Sequence, residues 1–161
     1  MLNTALQVLS KDGAIADNTY QIIAEDGVLP QGDVLLTVEQ LDQLANVTGK
    51  KALFITVDTS PEVNQFPLDQ LDAIFIDFAG FNDGRGYSFA ALLRRQGYQG
   101  ELRATGDVFK DVLNYMKRSG FDTFVIKEGK DIAEAAAGLN DFKNPYQAST
   151  AVAKAHYQTG A

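Results

Sequence analysis

The chain has 161 residues, a formal net charge of −7, 45% hydrophobic residues, no cysteine and a single histidine. Its length fits one globular domain, and the lack of cysteine excludes disulfides, thiolate catalysis and metal or iron–sulfur centres held by cysteine. The acidic balance argues against nucleic acid and anionic membranes as partners, because such binding needs clustered basic residues.

The N-terminal segment, residues 1–32, carries two β-like runs, 4–10 and 19–24, on either side of an Asp12-Gly13 turn signal. An Asp-Gly pair between two apolar runs is typical of a hairpin, so the sequence predicts an N-terminal antiparallel hairpin. A third short run follows, and Thr37 is then placed to cap a helix over residues 38–47, where apolar residues recur at helical spacing.

From residue 51 onwards, apolar runs alternate with amphipathic stretches. Runs 51–58 and 71–78 are almost continuously apolar, which is typical of strands covered on both faces of a parallel sheet. The remaining pattern predicts strands over 33–37, 100–105 and 121–127, helices over 87–96, 107–119 and 131–142, and a further turn or two of helix from Pro61.

This alternation predicts an α/β fold with a single domain over residues 1–145. In it, right-handed βαβ units over residues 33–145 form a mostly parallel sheet, doubly wound or partial-barrel-like, preceded by the hairpin-like segment 1–32. The polar C-terminal tail, 146–161, is expected to be partly mobile.

The sequence offers few groups for cofactor or metal chemistry. His156 lies in the polar tail, where a catalytic role is not expected because catalysis needs fixed geometry. No metal-ligand spacing, nucleotide loop, signal peptide or membrane-length apolar run is present. We therefore expect a cytoplasmic protein with no metal site, and no cofactor is assigned.

Polar residues follow three of the predicted strands. The stretches FNDGRGYS, TGD and KEGKD come after Phe78, Ala104 and Ile126. Because the carboxyl ends of parallel strands meet at one edge of a sheet, these stretches predict one candidate binding edge. The third stretch contributes Lys127, which either meets a substrate or is a solvated loop charge.

The first of these stretches has two interpretations. Gly84 and Gly86 permit a tight turn, amides at the following helix start favour an anion, and Arg85 adds a fork of donors, with Ser88 as a cap or further donor. The glycine spacing matches neither a dinucleotide fingerprint nor a Walker loop. In the other interpretation Asp83 and Ser88 are turn and cap residues, and Arg85 pairs with Asp83 or a neighbouring carboxylate.

The stretch GELRAT is unusual, because the two-residue period of a strand places Glu101 and Arg103 on the same face. Unpaired buried charge is expensive, so this strand either lies at an edge with a structural ion pair or lines a ligand cavity or partial-barrel interior. Arg103 would then contact a ligand or a carboxylate such as Glu101, Asp77 or Asp83. Asp107 stands where the N-cap of the next helix belongs, with acid or base chemistry as the alternative.

The run from Ile74 to Asp122 resembles an uncharacterised bacterial family that is linked to sulfite reduction. The positions that carry the resemblance are Phe81, Asp83-Gly84-Arg85, Tyr87-Ser88, Leu93-Arg94, Gly100-Glu101-Leu102-Arg103-Ala104, Gly106-Asp107-Val108, Asp111 and Gly120-Phe121-Asp122. Members of that family are typically encoded beside the haem-containing sulfite reductase, so the resemblance implies a role in assimilatory sulfite reduction. The family pattern has a glutamine where this chain has Val112, so any contact made by that glutamine is lost here.

Three hypotheses follow. In the first, the protein is an accessory protein of assimilatory sulfate and sulfite reduction, binding sulfite reductase, another sulfur-assimilation enzyme or a small anion through Asp83, Arg85, Ser88, Arg103 and Asp107. In the second, it is a small enzyme, an oxidoreductase or acid/base enzyme, that clamps an anionic substrate between Arg85 and Arg103 and uses Asp83 or Asp107 as acid or base. In the third, it is a structural homodimer paired through its hairpin.

Overall fold

The computed structural model describes residues 7–59 and 66–141. Within these ranges, eight strands form one curled, half-barrel sheet in the order β2-β1-β8-β7-β6-β5-β4-β3. The strands are β1 (Gln7–Ser10), β2 (Ile15–Asp17), β3 (Gln21–Ile22), β4 (Val34–Leu36), β5 (Lys51–Thr56), β6 (Ala73–Phe78), β7 (Glu101–Gly106) and β8 (Thr123–Phe124). The predicted α/β class with a mostly parallel sheet is therefore confirmed.

The predicted helices after β6, β7 and β8 are present. The described helices are α1 (Gly84–Arg95), α2 (Leu113–Arg118), α3 (Ile132–Asp141) and three 3-10 segments, Val38–Asn46, Leu68–Gln70 and Lys110–Val112. The helix predicted over residues 38–47 is a 3-10 helix. Residues three apart eclipse one another in that geometry, so Leu41 and Leu44 both face the core, and Val47, the C-cap residue, packs there as well.

Strand order decides between the two predicted sheet architectures. Strands β3 to β8 are parallel neighbours in chain order, so the chain crosses the sheet in one direction without reversing. Right-handed connections that advance in one direction place their helices on the same face. The sheet is therefore a half-barrel, and its described parallel strands have no reversal point of the kind that forms the binding crevice of a doubly wound sheet.

The two faces of the sheet carry different cores. The helix-covered outer face holds the larger core, in which Phe78 and Leu102 pack with Phe89 and Leu93 of α1. The inner face holds a smaller cluster, made of Tyr20, Leu35, Ala52, Phe54, Ala73 and Phe75. Because side chains alternate along a strand, each residue of β6 and β7 belongs to one of these two environments.

The N-terminal hairpin is confirmed, but its predicted second arm is wrong. Strand β1 pairs antiparallel with β2, which lies inside the predicted turn region, and Gly13 makes the tight turn with a φ of 88°. The run predicted as the second arm supplies β3, which pairs with β4 at the opposite edge. Tyr20 explains the difference, because its buried ring packs edge-on against Phe75 at 5.4 Å on the inner face.

The last predicted strand is much shorter than expected. The strand predicted over residues 121–127 is only Thr123–Phe124, after which the chain follows the loop behind β7 through a Lys127 N–H to Val108 C=O hydrogen bond.

Some predictions concern residues that the structure does not describe. The helical turn from Pro61, the tail 146–161 and His156 lie outside the described residues. The domain boundaries stay predictions. No helix in the described ranges is long and apolar enough to cross a membrane.

Candidate functional site at the strand ends

The stretch after β6 begins a helix directly. The Asp83 carboxylate accepts the backbone N–H of Arg85 at 3.0 Å as the N-cap, and α1 starts at Gly84. Gly84 and Gly86 therefore lie in the first helical turn, and neither has a positive φ, so the predicted glycine-rich turn is wrong. Gly86 has another role, because a Cβ there would overlap the Phe78 ring on which α1 packs.

Arg85 is held by two carboxylates. Its Nη2 contacts Asp83 Oδ2 at 2.7 Å, and its Nη1 contacts Asp58 Oδ1 at 3.1 Å. The hydrogen bonds from Arg85 lower the pKa of the Asp83 carboxyl, and Asp83 in turn raises the pKa of Arg85. The geometry is that of the predicted ion pair, in which the guanidinium is already engaged.

Ser88 is exposed in the second turn of α1, so it is not the cap of that helix. It lies with Arg85 in an open groove of about 730 Å³ between α1 and the end of β5. The apolar lining of this groove comes from Val57, Phe89 and Leu92. Ser88 is therefore accessible from solvent at the candidate edge.

Arg103 is buried inside the half-barrel, with 6% of its surface exposed. Its Nη2 contacts Glu101 Oε2 at 2.7 Å, its Nη1 donates to Asn18 Oδ1 at 2.9 Å, and its guanidinium lies 4.5 Å from the centre of the Phe75 ring. Strand β7 lies between β6 and β8, so the predicted edge position is wrong. The structure instead has an ion pair on the inner face of the sheet.

The two arginines are not brought together. Helix α1, whose first turn contains Arg85, packs on the outer face with Leu102 and Ala104. Arg103 alternates with those residues and points to the opposite face, where it contacts Phe75 and Tyr20. A single anion held by both guanidinium groups is therefore not a site that this arrangement forms.

Asp107 joins the three predicted strand ends. Its Oδ2 accepts the backbone N–H of Phe81 at 2.9 Å, its Oδ1 accepts Lys127 Nζ at 2.8 Å, and its own N–H donates to the Phe78 carbonyl at 2.8 Å. The predicted helix-capping role is wrong, because the next helical segment starts at Lys110 behind Phe109. The shared edge does form, and Asp107 is its centre.

Phe81 combines an exposed side chain with a fixed backbone at this edge. Its side chain is 45% exposed, although its N–H is bound by Asp107 and its carbonyl accepts the Tyr87 hydroxyl at 2.9 Å. Its ring packs edge-on against Phe109 at 5.4 Å, and Lys127 Nζ lies 6.0 Å from the Phe109 ring centre. We call Phe81, Asp107, Phe109 and Lys127 the strand-end surface. The sequence alone does not identify Phe81 as a surface residue, because nothing local shows that its ring faces solvent.

A second polar row lies at the same ends of the strands on the inner face. Thr56, Asp77 and Thr105 are register partners on β5, β6 and β7, and Thr105 Oγ1 donates to Asp77 Oδ1 at 2.9 Å. In closed barrels of alternating strands and helices, the catalytic residues lie at the carboxyl ends of the strands. Sequence reasoning offers Asp77 only as a partner for Arg103, and the signal for this row is the position of a carboxylate at the end of a buried strand.

Asp107→Asn is expected to lower the free energy of unfolding at neutral pH by about 1 kcal/mol. Lys127, and then the Phe81 N–H, hold the pKa of the Asp107 carboxyl below its ordinary value. Such a carboxylate stabilises the fold above its unfolded pKa of about 3.9, and this contribution is lost as the pH falls through the lower folded value. Urea unfolding at about pH 6 and about pH 3 measures the difference.

The control for this prediction is Asp111→Asn, which changes an exposed carboxylate that has no ion-pair partner in the described ranges. Its effect on unfolding should be small at both pH values. A wild-type advantage over Asp107→Asn that persists undiminished at the lower pH would contradict the assigned role of the Asp107 ion pair.

A family model described as bacterial protein of unknown function (DUF934) matches residues 52–157. No curated protein and no solved structure matches the chain. Within the described ranges, no group of three or more histidine, aspartate and glutamate side chains is arranged to hold a metal ion.

Proposed function

The chain belongs to the DUF934 family of bacterial proteins of unknown function, and we propose that it is an accessory protein of assimilatory sulfite reduction that binds a partner enzyme through the strand-end surface. Sulfite reductase is the first partner to test. The proposal names both a pathway and a binding surface, and the two rest on different observations.

The pathway is supported by the resemblance of residues 74–122 to a family linked to sulfite reduction. Several of the positions that carry that resemblance, among them Phe81, Tyr87 and Asp107, are the residues that hold the strand-end surface together. Because the resemblance includes residues that shape this surface, it fits a function that the surface itself performs.

The single observation that carries the binding surface is the state of Phe81. An exposed aromatic side chain on a backbone fixed from both sides loses little conformational entropy when a partner covers it. Aromatic anchors of this kind, surrounded by polar groups that exclude water, dominate the binding energy of protein interfaces. Phe81 is the anchor, and the Asp107–Lys127 ion pair supplies a polar rim.

A protein partner fits this edge better than a small anion. The cations that an anion would need, Arg85 and Lys127, are each already paired with a carboxylate. Opening those pairs would cost some of any binding energy, whereas covering Phe81 disrupts no contact. The ligand-binding role of this edge is therefore assigned to protein recognition.

Phe81→Ala is expected to weaken binding of the partner enzyme about 30-fold, the effect of losing an aromatic anchor worth about 2 kcal/mol. The tagged protein is purified from its native bacterium, and sulfite reductase is identified in the eluate by its haem absorbance. A deletion strain should grow poorly with sulfate as sole sulfur source and normally with cysteine, and Phe81→Ala should restore growth less well than the wild-type gene.

Val28→Ala is the matched control, since Val28 is also an exposed apolar side chain, 65% accessible, but lies away from the strand-end surface. It should leave co-purification and growth unchanged. Normal growth of the deletion strain on sulfate, together with no sulfite reductase in the eluate, would overturn the pathway. Equal retention of the enzyme by both variants would overturn the binding surface.

A further inference from the structure

A second surface, separate from the strand-end surface, lies between α1 and the C-terminal half of α2. It is an open groove of about 1280 Å³. Gly84, Tyr87, Ala91 and Arg95 line it at helical spacing, so the groove follows the whole length of the 12-residue helix α1, about 18 Å.

The groove is basic although the chain is acidic. Its charged lining residues are Lys11, Arg94, Arg95, Lys117 and Arg118, against Asp12 and Asp122. Five of the 14 basic residues of a chain with a net charge of −7 thus line one groove, against only two acids among its described lining residues. The C-terminal turns of α1 and α2 bring four of these cations together.

Two of the cations are available to a ligand. Arg94 and Lys11 both pair with Asp122, and Arg118 lies over the Tyr115 ring at 5.9 Å. Arg95 and Lys117 have no ion-pair partner in the portion of the chain that the structure describes. An arginine fork and a lysine ammonium beside an exposed tyrosine can bind carboxylates while the aromatic ring packs against an apolar neighbour.

The size of the groove favours an extended segment over a small molecule. Its volume exceeds the range of about 300–1000 Å³ usual for small-molecule pockets. At about 3.3 Å per residue, its length fits about five residues of extended chain. The chain itself supplies no acidic candidate, because residues 1–6, 60–65 and 142–161 contain only one acid, Glu62.

We propose that the α1–α2 groove binds an acidic, extended segment of a partner protein, with Arg95 and Lys117 as the main contacts and Tyr115 as an apolar support. The inference rests on the charge and shape of the groove, and it stands whether or not the partner belongs to sulfite reduction. The opposite sign of the groove and the whole chain favours binding of acidic ligands at the groove, because the net negative charge of the chain opposes their binding in general.

The test uses a fluorescein-labelled octaglutamate peptide and fluorescence anisotropy with the full chain. Binding is expected in about 20 mM salt and should weaken strongly in about 300 mM salt, where exposed charges are screened. The double variant Arg95→Glu/Lys117→Glu should bind at least about tenfold more weakly. Circular dichroism checks that both proteins are folded.

The matched control is Lys50→Glu/Lys130→Glu, which reverses two exposed lysines outside the groove. Each reversal removes one positive charge and adds one negative charge, so both double variants go from −7 to −11. The control should retain most of the binding. Equal loss in both variants, no binding by the wild type, or tighter binding of a ten-nucleotide oligothymidylate than of octaglutamate would overturn the proposal.

The other candidate to occupy the α1–α2 groove is a second copy of this acidic chain. Sedimentation of the protein alone at micromolar concentration separates the two cases. A monomer that binds octaglutamate supports the proposal, whereas self-association that the groove variant abolishes and the control retains would overturn it.

Discussion

Replacing Arg103 by methionine is expected to lower the free energy of unfolding by about 3–5 kcal/mol, the range found when one partner of a buried ion pair is removed. Methionine fills much of the same volume, so the loss comes from charge rather than from a cavity. Among the described residues, the Glu101 carboxylate would keep only its hydrogen bond from Thr123 Oγ1, at 2.7 Å, and Asn18 would lose its guanidinium donor. Urea unfolding monitored by circular dichroism measures the change.

A double-mutant cycle separates the ion pair from the packing around it. Glu101→Gln alone leaves the Arg103 guanidinium buried without its carboxylate, so it should also destabilise the fold. The double variant Arg103→Met/Glu101→Gln should be more stable than the sum of the two losses predicts, with a coupling energy of at least about 1 kcal/mol. Coupling near zero would contradict the assigned ion pair.

The same measurement distinguishes the two interpretations of the polar face of β7. A residue kept for ligand binding is commonly held at a cost to stability, so its removal would be neutral or stabilising. A large loss on Arg103→Met would instead mean that the guanidinium serves the fold, by linking β7 to the segment around Asn18 and Tyr20.

Local patterns predicted the elements of this fold well. The continuous apolar runs of β5 and β6, the amphipathic stripes of α1 and α2 and the Asp12-Gly13 turn are properties of a few neighbouring residues. The choice between a doubly wound sheet and a half-barrel depends on which strands are neighbours. That choice is made by distant contacts, such as the packing of Tyr20 on Phe75.

The candidate site was predictable as a place but not as a set of contacts. The three strand ends do meet, since parallel strands align their carboxyl ends. The hydrogen-bond partners of each side chain depend instead on contacts between distant parts of the chain. Asp107 bonds Phe81 and Lys127 instead of capping the next helix, and Arg103 bonds Asn18, which is 85 positions away in the chain. No period within a strand or helix contains that information.

The positions that carry the family resemblance likewise fall into two groups in the structure. Phe81 and Asp107 belong to the strand-end surface, whereas Arg94 and Asp122 lie at the other end of the sheet, where β7 and β8 begin. Arg94 Nη1 donates to the carbonyls of Tyr98 and Gly100 at 2.9 and 2.8 Å, and its Nε and Nη2 donate to the Gly120 carbonyl.

Arg94 therefore joins three segments through one guanidinium. Its Nη2 also contacts Asp122 Oδ2 at 2.6 Å, and that same oxygen accepts the Leu102 backbone N–H at 3.0 Å. The end of α1, the start of β7 and the turn before β8 are all fixed by this arginine. No lysine could replace it, because a single ammonium cannot reach all the acceptors that surround the guanidinium fork.

Arg94→Ala is expected to lower the free energy of unfolding by about 3 kcal/mol, because several backbone carbonyls and Asp122 lose a charged donor at once. The neighbouring Arg95→Ala is the matched control. Arg95 is exposed and makes no such contacts in the described residues, so its loss should change stability by no more than about 0.5 kcal/mol. Urea unfolding of both variants measures the difference, and equal effects would contradict the role assigned to Arg94. Since Arg94 and Arg95 both line the α1–α2 groove, the comparison also separates an arginine that holds the fold from one that is available to a partner.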